Sequence, residues 1–185
     1  MTLRFPIALV LAATAAVAQT QTQPQPRAQT TPQTSQGSPQ SAYAIPIGNA
    51  VTLDAAKRAA AAASAEARKN NWFMAIAVVD PAGTLVYFEK ADTTQLGSAE
   101  VAIDKARSAA LYKRPSKAFQ DALEKGGVNV RVMALRGAVP VEGGVPLLVG
   151  GKLIGAIGVS GDLSEHDGQC ANAGATALTT TTVAR

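Results

Sequence analysis

The chain has 185 residues, a formal net charge of +4 and aromatic residues at only 4% of its composition. Its cations are scattered, with no basic run and few aromatics among them, which excludes a nucleic-acid-binding surface. Cys170 is the only cysteine, so no intrachain disulfide can form, the fold must stand on packing, and the thiol is expected to be buried.

The first 18 residues read as an export leader. Arg4 supplies a short positive region, Ile7 to Val17 an apolar one, and Ala16-Val17-Ala18 a small-x-small cleavage site. That apolar run is too short to cross a hydrocarbon core of about 30 Å as a helix, so no permanent membrane span is expected. Residues 19–42 are rich in Gln, Thr and Pro, with Pro24, Pro26, Pro32 and Pro39 interrupting any helix. Such a stretch cannot bury enough apolar surface to offset the entropy of ordering, and a disordered linker is expected. Residues 43–185 form the folded domain, long enough to bury a core and placed by the leader in the periplasm or outside the cell.

Thr52 can cap a helix that carries Asp54 in its first turn, runs through Ala-rich sequence to Ala67 and ends at Lys69-Asn70-Asn71. A hairpin follows, Met74 to Val79 and Thr84 to Glu89, around the turn Asp80-Pro81-Ala82-Gly83. A second helix starts at Gly97 or Ser98 and runs to Tyr112, where Arg114-Pro115 breaks it. Ser116 to Lys125 form a shorter helix that stops at Gly126-Gly127. Val130 to Leu135 carry a weaker strand signal, and a hairpin follows from Val145 to Val149 and Lys152 to Ser160 around Gly150-Gly151. Ser164, with Asp167 three residues on, reads as a capping box opening a helix through Leu178.

Strands joined by tight turns must be antiparallel, so this order gives an α+β fold: an antiparallel or mixed sheet of about five strands with helices packed on it. A doubly wound nucleotide-binding fold is excluded.

Four segments together resemble a known family: Gly97 to Arg107, Arg114 to Phe119, Gly143 to Leu147, and Ile154 to Gly161. In this order they are similar to the HbpS/GlcG family of small proteins, which also occurs as the C-terminal domain of PduO-type adenosyltransferases. The resemblance implies a profilin- or PAS-like fold, assembly into homo-oligomers, and binding of haem. Family labels also mention haem degradation.

Haem iron takes a His, Met, Cys or Tyr ligand, and its propionates favour Arg or Lys. His166 is the only histidine, at the first turn of the last helix, where a lone histidine is ordinarily a surface residue. Tyr87, Tyr112, Met74 and Met133 are further donors, although the spacing of both methionines suits the core. In the second helix Glu100 and Asp104 lie one turn apart on one face, a spacing that could hold a surface cation but with only two ligands. A solvated face with intrahelical ion pairs is the plainer account. Lys105 and Arg107 sit in a resembling segment and are candidates for a ligand pocket, as are Glu142 and Gly144 in the loop before the last hairpin. That loop and the start of the last helix form the expected pocket mouth.

Ser160 lies where strand gives way to helix, but Gly158-Val159-Ser160-Gly161-Asp162 is not a nucleophile elbow, and adjacent His166 and Asp167 diverge by about 100° on a helix. A serine hydrolase is therefore disfavoured. Ile154, Ala156, Gly158 and Ser160 share a small-surfaced strand face that admits a helix, a neighbouring subunit or a flat ligand. The leading expectation is an exported protein binding a tetrapyrrole, haem before a corrinoid, as scavenger, sensor or accessory factor. The alternatives are a haem-degrading or hydroxy-acid-metabolising enzyme, and an oligomeric module that binds a partner without a ligand. One histidine, one cysteine and no clustered acid and base weigh against an autonomous catalyst.

Overall fold

The computed structural model describes residues 43–179. The expected leader at 1–18 and linker at 19–42 lie outside them. In chain order the elements are α1 (Leu53–Lys69), β1 (Ala75–Val79), β2 (Leu85–Lys90), α2 (Ser98–Tyr112), α3 (Lys117–Glu124), a 3-10 helix (Gly127–Ala134), β3 (Gly144–Val149), β4 (Lys152–Ser160) and α4 (Ser164–Thr179). The four strands form one antiparallel sheet in the order β2-β1-β4-β3. Among the described residues no helix is long and apolar enough to cross a membrane.

β1 lies between two partners and is buried along its whole length, which is why Ala-Ile-Ala-Val-Val reads as a continuous apolar run. Its side chains alternate between two cores. Ile76 and Val78, with Ile157 and Val159 of β4, pack into the layer that contains α1 and α4. Ala75, Ala77, Val79 and Ala156 face α2, against Ala102, Ala106 and Ala109. Burying each such Ile or Val contributes roughly 1.5–3 kcal/mol, and the small residues on the second face bring α2 close to the backbone.

The first helix and the two hairpin turns use the devices their sequence suggested. The Thr52 Oγ1 accepts the Ala55 N–H at 3.2 Å, and Ala56, Ala59, Ala60, Ala63 and Ala67 form the buried stripe of α1. The β1–β2 turn is held by Asp80, whose Oδ1 accepts the N–H groups of Ala82 and Thr84 at 2.8 and 2.9 Å. Gly150 and Gly151 both take positive φ, 56° and 73°, as a tight two-residue hairpin demands.

Two local expectations are corrected. The strand expected at Val130–Leu135 is part of the 3-10 helix, so the sheet has four strands rather than about five. Its alternating valines mimic a half-buried strand, but Val128 and Val130 are exposed and the segment packs on α3 instead of a sheet edge. The capping box at Ser164 does not form: Ser164 is already helical, and Asp167 reaches back to the Asp162 N–H at 3.4 Å.

Candidate functional site

Lys105 of α2 is 1% exposed, and its ammonium donates to Asp167 Oδ2 at 2.7 Å and to the Val159 carbonyl at 3.3 Å. Asp167 opens α4 and is itself buried. Burial raises its pKa above the ordinary 3.8, opposed by hydrogen bonding and charge attraction from Lys105. A buried ammonium is tolerable because carboxylate and carbonyl replace its water.

The glycines of the Glu142 to Pro146 loop close over this pair. Gly143 has φ +129°, and a Cβ there would meet the Val159 carbonyl at 2.5 Å and Lys105 Nζ at 2.9 Å, so no other residue fits. Gly144 lies against the Lys105 backbone, and its N–H donates to the buried Ser116 hydroxyl at 2.9 Å. Ser116 Oγ in turn donates to the Val141 carbonyl at 2.6 Å. Glu142 is anchored through its N–H to Gln120 Oε1 at 2.9 Å, and its carboxylate packs against Gly168 with Lys117 Nζ at 3.7 Å. Lys105, Glu142 and Gly144 thus converge on the start of α4 in a packed, hydrogen-bonded joint.

The other candidates point elsewhere. Arg107 turns toward the β1–β2 turn, its Nε donating to the Gly83 carbonyl at 3.3 Å. Asp104 pairs with Arg107 at 3.6 Å, and Glu100 is exposed. Among the described residues no group of three or more His, Cys, Asp or Glu could hold a metal ion. Tyr87 donates to Glu89 Oε2 at 2.9 Å, Tyr112 donates to the Arg136 carbonyl at 2.8 Å, and Met133 is exposed on the 3-10 helix. The small face of β4 is taken by α2: a Cβ on Gly158 would strike the Ala102 carbonyl, and lie 2.5 Å from the Ala106 nitrogen.

His166 is one-third exposed, with Nδ1 3.3 Å from Asp162 Oδ2. Its ring stacks on Trp72, centroids 3.9 Å apart and planes within 12°. Trp72 leads to a cleft of about 420 Å3 between the end of α1 and strands β1 and β2. Ala67, Met74 and Ile76 floor it, Arg68 and Lys90 stand at its rim, and Glu89 also lines it. This cleft was not legible in the sequence. The available signal was Trp72, the one tryptophan of the chain, placed directly after Asn71 at φ 60° where helix turns into strand.

Comparison with known proteins places this architecture. The family model described as "Haem degrading protein HbpS-like" matches residues 51–176. Protein GlcG of Escherichia coli K12 is 39% identical over 100 residues, covering 54% of this chain and 73% of GlcG. The crystal structure of a double mutant of Streptomyces reticuli HbpS superposes with a TM-score of 0.65 at 30% identity, covering 71% of this chain and 88% of that one. A PduOC:heme complex superposes with a TM-score of 0.63 at 25% identity, covering 69% of this chain and 94% of its own. The chain belongs to the HbpS-like family.

Proposed function

We propose that this HbpS-like chain is an exported haem-binding protein, serving as scavenger, sensor or accessory factor outside the cytoplasm, and that the cleft at the end of α1 takes the tetrapyrrole. The observation that carries the proposal is the make-up of that cleft: an apolar floor of Ala67, Met74 and Ile76 under a rim where Arg68 and Lys90 outnumber the single acid of the lining, Glu89, which is engaged by the Tyr87 hydroxyl. Haem presents flat apolar faces, anionic propionates and an iron that wants an axial donor. Floor and rim fit the first two demands. For the third, Met74 is the lining residue with a thioether, and His166 stands behind the Trp72 ring. Support for the ligand class comes from the family description and from the haem held by PduOC.

Bound haem would supply iron-centred redox and ligand chemistry. The chain's own residues have simpler tasks. The floor desolvates one face of the macrocycle. Arg68, already steadied by donating to Ser64 Oγ at 2.7 Å, and Lys90 would hold the propionates. Export rests on the leader at residues 1–18, and assembly into a homo-oligomer is carried over from the resemblance.

Haem titration of the purified mature protein, followed through the Soret band, tests the proposal. A saturable shift is expected, weakened roughly tenfold by Arg68→Gln with Lys90→Gln, the loss of a charged pair or two. Met74→Leu and His166→Ala separate the axial donors, since only loss of the ligating residue moves the band position. No saturable shift at micromolar haem would sink the haem assignment.

A further inference from the structure

A second cleft, of about 520 Å3, shares no lining residue with the first. It lies between α3, the 3-10 helix and the start of the described chain, and its walls include Tyr43, Phe119 and Leu135. Two guanidiniums, Arg114 and Arg131, line it together with the Asn129 amide, and no acidic residue does. Arg114 is held in place: its Cζ lies 3.5 Å over the Tyr43 ring and 5.2 Å from the Phe119 ring, and its Nε donates to the Tyr112 carbonyl at 3.2 Å.

Among the described residues neither guanidinium pairs with a carboxylate. The nearby acids of α3 are engaged along their own helix, Asp121 by Lys117 at 2.8 Å and Glu124 by Gln120 at 3.1 Å. The cleft therefore carries two uncompensated positive charges above aromatic and aliphatic walls. Guanidinium is planar and forked, matched to carboxylate, and a guanidinium already stacked on a ring loses little further entropy on binding.

We infer that this second cleft binds a small planar organic anion, one that offers a carboxylate to Arg114 and Arg131 and lays an apolar body against Val132 and Leu135. The site is separate from the haem cleft. Its chemistry is that of a small-molecule site in which apolar walls and converging polar groups share the lining.

Calorimetric titration of the full mature chain with naphthalene-2,6-dicarboxylate tests the inference, with the neutral diamide of the same ring system as control. The dicarboxylate is expected to bind saturably and more weakly as salt rises, while the diamide does not bind. Arg131→Gln, an exposed position whose loss leaves the packing intact, is expected to weaken binding about tenfold, and Arg114→Lys to weaken it although the charge is kept. The Soret titration with haem is expected to be unchanged in Arg131→Gln. Equal binding of the diamide, undiminished binding in Arg131→Gln, or no saturable binding would overturn the site. Loss of haem binding in Arg131→Gln would assign the cleft to haem and overturn its independence.

Discussion

Lys105 and Asp167 tie together the helical layers on opposite faces of the sheet, with 2.7 Å between ammonium and carboxylate and side chains only 1% and 3% exposed. Removing one partner strands the other charge in the interior, at a cost of about 3–5 kcal/mol. Lys105→Met and Asp167→Leu are each expected to lose that much stability in urea unfolding. The double variant is expected to recover most of it, because an apolar pair of similar volume needs no desolvation. Additive losses would show that the pair is not coupled.

The face of β4 that looked fit for assembly is the floor beneath α2. A Cβ on Gly158 would meet the Ala102 carbonyl and come within 2.9 Å of Ala106 Cβ, so the helix must be pushed off the sheet. Gly158→Ala is expected to cost about 1–3 kcal/mol or more as overpacking. The cost should appear as lowered thermal stability of the folded chain. An unchanged Tm would refute the close approach.

How far the sequence was legible follows from which signals are local. Thr52, Asp80-Pro81-Ala82-Gly83 and Gly150-Gly151 act within a few residues, and each does in the structure what its chemistry suggests. Valines at 128, 130 and 132 alternate like a strand, but strand pairing needs an available edge, which no local pattern reports. The same limit governs the site. Lys105, Glu142, Gly144 and His166 were each visible as residues, while the Lys105–Asp167 pair spans 62 positions and the Trp72–His166 stack 94. Asp167 was visible only as a helix cap and as a rejected triad partner, because nothing in its neighbourhood names a buried lysine as its partner.

Glu66 gives the fold a specific response to acid. Its Oε1 accepts the Gln169 amide at 2.6 Å, joining α1 to α4. This hydrogen bond first, aided by that of Asn70 and by the charge of Lys69, outweighs the opposing effect of desolvation and holds its carboxyl below the ordinary 4.5. A depressed folded-state pKa contributes stability that is fully present above 4.5 and is lost as pH falls through the lowered value. Urea midpoints of the wild type and Glu66→Gln are therefore expected to diverge at pH 6 and to draw together as pH falls through the lowered value, the variant showing the shallower acid slope. Parallel curves would exclude Glu66 from the acid response.

Cys170 completes the case for a fold that stands on packing. The thiol is fully buried on α4, and burial first, then the charges of Glu66 and Asp167, pushes its pKa up to about 12. Only the thiolate attacks disulfides and alkylating reagents, so at pH 8 a group of that pKa is ionised about once in ten thousand molecules. Reaction with an aromatic disulfide reagent is expected to be at least about a hundredfold slower in native buffer than in urea, where an ordinary thiol pKa returns. Opening of the native state should set the native rate, so Asp167→Leu, by loosening α4, should speed it in proportion to the stability lost. A native rate close to the unfolded one would mean that α4 exposes its thiol, and would remove burial as the reason why an unpaired cysteine survives there.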